Sequence, residues 1–217
     1  MLCRVLRFAD FAIGRLDMAF IVDSSSSIAF NDRTMWNAMC KFIANLTDKF
    51  EIGPNATQIA IVTFSNRSSV MVRFSRHQLK TPLLLFIRNM PYRGGLSNLN
   101  DALYKTWSDV FAVGGGSRTA ADKVAIILTD GVDNVPGMKS PVTIQNARRC
   151  KQDGIRLMAV GITSRSNDAR LIQIVSSPDD LFHASNGIML GELIPLLIQR
   201  ITRATPTSSV TGIVTST

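Results

Sequence analysis

Three observations predict an α/β fold, doubly wound, with a mostly parallel six-stranded sheet, one antiparallel edge strand and helices on both faces. Short β-rich apolar runs alternate with longer segments of helical period along the chain. Most of those runs are nearly continuously apolar, the pattern of strands buried on both faces. Between the second and third runs only the polar link Ser65 to Ser69 remains, too short for a helix, so that pair reads as an antiparallel hairpin at the sheet edge.

The elements follow in order. Met18 to Val22 is the first strand. The helix over Asn31 to Phe50 carries Met35, Ala38, Met39, Phe42, Ile43 and Leu46 on one stripe, with Asn31 and Asp32 available to cap it. Gln58 to Phe64 and Val70 to Phe74 form the hairpin, and helices are expected near Gln78 to Ile87 and Leu99 to Val113. Strands at Val124 to Leu128, Arg156 to Val160 and Leu181 to His183 then alternate with helices at Val142 to Gln152, Asp168 to Val175 and Leu190 to Arg203. Residues 1–15 read as an N-terminal extension and 16–203 as one domain. Residues 204–217 read as a Ser/Thr-rich linker or tail.

Composition narrows the function classes. The chain has 217 residues, 46% of them apolar and 18% charged, which excludes disorder or a coiled coil as the main architecture. Its longest apolar runs, Leu83 to Ile87 and Leu193 to Ile198, fall far short of the roughly 20 residues of a spanning helix, so no membrane insertion is expected. A net charge of +8 favours acidic partners in general, but the basic residues are scattered and carry no nucleic-acid motif. No nucleic-acid partner is expected.

Cys3, Cys40 and Cys150 have neither a disulfide framework nor zinc spacing. Right-handed crossovers put the helices carrying Cys40 and Cys150 on opposite faces of the sheet, so these two are not expected to pair. Three Asn-X-Ser/Thr sequons, at Asn45, Asn55 and Asn66, point to the secretory pathway and extracellular localisation. Arg4, Arg7, Asp10 and Arg15 interrupt the apolar start, so the chain reads as a fragment or as one lacking its leader. Gly114-Gly115-Gly116-Ser117 lacks the sequel of a phosphate loop and reads as a flexible connection, while His77 and His183 have no partners at catalytic spacing.

The chemistry concentrates at strand ends. In an open α/β sheet, loops at the carboxyl ends of the strands form the ligand site. The first strand runs into Asp23-Ser24-Ser25-Ser26-Ser27, and alternation turns Asp23, Ser25 and Ser27 toward one centre. The fourth strand ends in Thr129-Asp130-Gly131, and the glycine-bearing loop Arg93 to Asn98 brings Ser97 within reach. These are hard oxygen donors, suited to Mg²⁺ or Mn²⁺. Taken singly, an Asp and Ser loop can cap a helix and an Asp-Gly pair can make a turn; their joint register at strand ends favours a metal site.

With these motifs in this order, the sequence resembles the von Willebrand factor A domain, also called the I domain of integrins, over Leu16 to Arg203. Asp23-x-Ser25-x-Ser27, Gly94-Gly95-Leu96-Ser97-Asn98 and Leu128-Thr129-Asp130-Gly131 carry the resemblance. It implies a Rossmann-like fold and a metal-ion-dependent adhesion site with Asp23, Ser25, Ser27, Ser97 and Asp130 around the cation. One position stays open there for a Glu or Asp of a protein ligand, such as collagen or another matrix component. Departures are Ser24 and Ser26, where the family commonly has Gly, and Ser97, where it usually has Thr. The former would alter the freedom of the loop backbone, and the latter loses a methyl that restricts χ1.

Arg93, Asn98, Lys139 and Arg165 are expected on the ligand-binding rim. The predicted function is non-enzymatic adhesion; an intracellular scaffold domain of the same family is the alternative. A phosphotransferase using Asp23 as nucleophile is disfavoured because position 25 lacks a second acid and no Lys stands beside the site.

Overall fold

The computed structural model describes residues 15–29, 33–76, 79–131, 140–162 and 166–203. Six strands, β1 (Leu16–Asp23), β2 (Thr57–Phe64), β3 (Ser68–Val72), β4 (Asp122–Thr129), β5 (Ile155–Ile162) and β6 (Leu181–Ala184), form one sheet in the order β3-β2-β1-β4-β5-β6. All neighbours are parallel except β2 and β3, the edge hairpin. The helices are α1 (Thr34–Asp48), α2 (Lys80–Arg88), α3 (Leu99–Lys105), α4 (Ser140–Gln152), α5 (Asp168–Ile174) and α6 (Gly187–Thr202). Among the described residues no helix is long and apolar enough to cross a membrane.

Period-two alternation splits the core. Met18, Phe20 and Val22 of β1 face one hydrophobic cluster with α1, α2 and α6, whereas Ala19 and Ile21 face another with α3, α4 and α5. Cys40 and Cys150 are buried free thiols in different clusters, as the crossover argument requires. On the α3 face, Ala60, Ala19 and Ala125 stand side by side in register on adjacent strands. Their small side chains leave room for Leu99, Ala102 and Leu103 of α3, which fixes the height of the loop that delivers Ser97.

Several boundaries differ from the sequence expectation for local reasons. Helix α1 starts at Thr34 behind Arg33, which makes no side-chain cap; Asn31 and Asp32 lie outside the described residues. β3 begins two residues early because the hairpin turn closes tightly, with Ser65 N–H donating to Arg67 O. The single helix expected over Leu99 to Val113 is instead α3 followed by a π-turn at Thr106–Val110 and a 3-10 turn at Val113–Gly115. There the Thr106 hydroxyl donates to Ala102 O, and Phe111 N–H reaches back five residues to Thr106 O. Helix α6 starts at Gly187 because Asn186 Oδ1 caps it, accepting from Ile188 and Met189 N–H.

The Gly114 to Ser117 stretch is a packed turn, correcting the expectation of a flexible connection. Gly116 has φ +87°, and a Cβ there would lie 2.8 Å from Ser75 N. The residues that follow close the lower end of the sheet: Arg118 Nη2 pairs with the fully buried Asp17 Oδ1 at 2.8 Å, and Arg118 N–H donates to Oδ2 at 2.6 Å.

Candidate metal centre

β1 and β4 are paired through Val22 and Leu128, so Asp23 and the Thr129-Asp130 step emerge side by side at the carboxyl end of the sheet. Asp23 is fully buried. Its Oδ1 accepts from Ser25 N–H at 2.9 Å, and its Oδ2 accepts from Thr129 Oγ1 at 2.6 Å and Ser97 Oγ at 3.1 Å. The Ser25 and Ser27 hydroxyls lie 3.0 Å apart. Burial pushes the Asp23 carboxyl up to about 6; hydrogen bonds from Ser25 and Thr129 pull against it, and the charge of nearby Asp130 adds to the rise. Among the described residues no arginine or lysine forms an ion pair with Asp23.

Three loops are knit together around that carboxylate. Ser24 donates to Phe64 O through both N–H and hydroxyl, at 2.7 and 2.9 Å, anchoring the loop to β2. Ser26 N–H donates to Gly95 O at 2.9 Å while Ser26 Oγ accepts from Gly95 N–H at 2.8 Å, and Gly94 N–H donates to Ser24 O. Both serines that depart from the family's glycines therefore act as fasteners. Gly95 itself has φ +94°, and any Cβ would fall 2.4 Å from Asn66 Oδ1, which accepts from Leu96 N–H. Tyr92 OH donates to Ser25 O at 3.1 Å and packs its ring against Trp36.

The sequence reading missed Thr129, Tyr92 and Asn66 as positioning residues. A signal for Thr129 existed: alternation along β4 sets Ala125, Ile127 and Thr129 on the α3 face, the face of Asp17, Ala19, Ile21 and Asp23 on β1. The Thr129 hydroxyl accepts from Gly131 N–H, leaving its proton for Asp23. Nothing local marked Tyr92 or Asn66, whose partners are distant in sequence.

The expected rim residues fare unevenly. Arg93 is exposed, its Nη1 donating to Ser69 Oγ. Asn98 is buried, and its side chain is engaged at both ends, Oδ1 capping α3 through Asp101 N–H and Nδ2 donating to Asn66 O. It braces the loop and is not a surface contact. Lys139 and Arg165 lie outside the described residues, as does His77. Of the sequons, Asn45 is half-buried on α1 beside buried Leu46 and Thr47. Asn55 is exposed before β2 with Oδ1 accepting from Arg15, and Asn66 is exposed but bonded to Leu96 N–H.

The donor set suits a hard divalent cation. Among the described residues no three His, Cys, Asp or Glu side chains converge, so a cation at this rim would rest on two carboxylates and several hydroxyls. A buried carboxylate beside a second one, held by neutral donors, is an electrostatic arrangement that a cation completes.

Comparison with known proteins identifies the family and agrees with the fold. Residues 17–194 match the von Willebrand factor type A domain. The collagen alpha-1(XII) chain of Notophthalmus viridescens is 32% identical over 166 residues, covering 76% of this chain and 17% of that one. The von Willebrand factor A domain-containing protein 2 of Xenopus laevis is 26% identical over 186 residues, 86% of this chain and 22% of its own length. The chain thus spans about a fifth of the curated relatives it matches. Among solved structures, proximal thread matrix protein 1 from the mussel byssus, with a zinc-occupied MIDAS motif, superposes with a TM-score of 0.79 at 28% identity, covering 88% of this chain and 46% of that one. The chain belongs to the von Willebrand factor type A domain family.

Proposed function

We propose that this domain holds Mg²⁺ or Mn²⁺ at the rim between β1 and β4 and captures an acidic residue of a protein ligand in the extracellular matrix, collagen among the candidates. The observation that carries the reading is Asp23: fully buried, hydrogen-bonded among the described residues by neutral groups, and close enough to Asp130 to feel its charge. In this reading Ser25, Ser27 and Ser97 offer hydroxyl oxygens, and Asp23 and Asp130 supply the negative charge. Bound there, the cation supplies an electrophilic position for a partner's Glu or Asp. Thr129 and Tyr92 position Asp23 and the Ser25 backbone, and Arg93 and the net charge of +8 draw an acidic surface toward the rim. The site works as a binder without turnover.

Relatives that are collagen chains and a byssus matrix protein support the matrix setting over an intracellular scaffold. On secreted protein, N-glycan is expected first at Asn55, whose side chain is exposed in a turn. The test is capture of matrix ligands by the parent domain and by Ser25→Ala, with Mg²⁺ and with EDTA. Capture should need the cation and vanish in Ser25→Ala; capture that persists undiminished in EDTA contradicts the proposal.

A further inference from the structure

Behind the loop that carries Ser97, a polar groove of about 590 Å³ runs between α3, α4 and the β2–β3 turn, with Asn66 and Asn98 at the end nearer the metal rim. We infer that this groove is a second binding site, for an acidic, sulfated glycan, and that it operates without the cation.

The cations come from three elements. Arg67 stands exposed on the β2–β3 turn, and Lys105 on α3 and Arg149 on α4 are half-buried. Arg149 is preorganised: its Nη1 donates to Asn146 Oδ1 at 2.9 Å, and its guanidinium lies 5.7 Å from the Trp107 ring centroid. Asn146 in turn is buried, its Nδ2 donating to Asn100 Oδ1 at 2.8 Å, so the floor is a fixed ladder of amides beneath the guanidinium. Arg149 is therefore held in place before any ligand arrives.

Against Arg67, Lys105 and Arg149 stand two acids, Asp101 within the groove, which holds the turn through Ser68 N–H and Oγ, and Asp109, which pairs with Lys105 at 3.7 Å. Net positive charge remains in the cleft, and a polyanion fits it.

The rest of the lining selects sugar over peptide. Gln145 and Tyr104 are exposed along the wall, offering an amide and a ring face with a hydroxyl, groups that bond sugar hydroxyls and cover a sugar ring. Among the described residues Val142 is the one aliphatic side chain lining the groove, so that lining gives peptide side chains little apolar contact. Sulfate groups match the guanidinium fork of Arg67 and Arg149.

The experiment is titration calorimetry of the intact chain with a heparin tetrasaccharide. A neutral oligosaccharide of equal length, a poly-glutamate peptide and a single-stranded DNA of matched charge are the comparators. The sulfated sugar should bind at least roughly tenfold more tightly than any comparator, equally with Mg²⁺ or EDTA, and less tightly as salt rises. Arg67→Gln and Arg149→Gln should each weaken binding roughly tenfold, whereas Arg88→Gln, an exposed arginine on α2, should leave it unchanged. Arg67 sits on an exposed turn, so its variant keeps the test meaningful if Arg149→Gln perturbs the fold. No binding, equal binding of peptide or DNA, or an equal loss in Arg88→Gln overturns the inference. Because the readout is taken in EDTA, its failure is distinguishable from failure of the metal site.

Discussion

β1 carries a buried aspartate at each end, and the two are handled in opposite ways. Asp17, at the amino end, meets Arg118, which pairs with Oδ1 at 2.8 Å while also donating to the carbonyls of Leu16, Pro54 and Ala56. A third buried carboxylate, Asp180, likewise receives Arg156 and Arg200. Asp23, at the carboxyl end, is as deeply buried but meets an amide and two hydroxyls, with Asp130 adding negative charge nearby. The contrast separates carboxylates whose counter-charge is encoded beside them from one that meets no cationic side chain among the described residues, the position that our proposal fills with a cation.

The largest effect expected from breaking this comparison is at the lower end. Arg118→Met strands the buried Asp17 charge and should cost about 3–5 kcal/mol in denaturant unfolding, with no rescue by Mg²⁺. Next comes pH. Asp23 has a folded-state value raised from 3.8 to about 6, so its contribution to metal-free stability is full below about pH 4 and is lost as pH rises through about 6. The loss amounts to about 3 kcal/mol and should be visible in unfolding at fixed ionic strength in EDTA.

Mg²⁺ at about a hundred times its Kd should restore about 2.7 kcal/mol at neutral pH. In Asp23→Asn that gain should disappear while metal-free stability at pH 7 holds or rises, because the uncompensated charge is gone. The smallest effect is at the fasteners. Ser26→Gly removes one hydrogen bond at an exposed loop and should cost about 0.5–1 kcal/mol in thermal unfolding, together with a modest loss of Mg²⁺ affinity in calorimetry.

The sequence made the fold legible because β1, β2, β4 and β5 are buried on both faces, leaving apolar runs such as Ala19 to Val22 with no other reading. That candidate oxygen donors gather at one rim was legible for a related reason: Asp23, Ser25, Ser27 and Asp130 lie at or just after the ends of β1 and β4, strands that are neighbours in a doubly wound sheet. Ser97, 74 residues from Asp23, was legible through its motif, and what escaped was the pairing between distant segments that no motif marks. Arg118 finds Asp17 from the far side of the chain, and Tyr92 finds the Ser25 carbonyl, with no local pattern to announce either contact. Asn98, expected on the rim for its polarity, is turned inward because the first turn of α3 needs its cap. The π-turn after Lys105 followed from a threonine hydroxyl competing for a helix carbonyl, which helical periodicity does not register.

The most direct test is a crystal of the intact chain grown with Mn²⁺ and measured at the metal's absorption edge. A strong anomalous peak is predicted between the ends of β1 and β4, within bonding reach of the Ser25 and Ser27 hydroxyls. No peak there at saturating Mn²⁺, or an arginine or lysine folded over Asp23 in its place, would contradict the account.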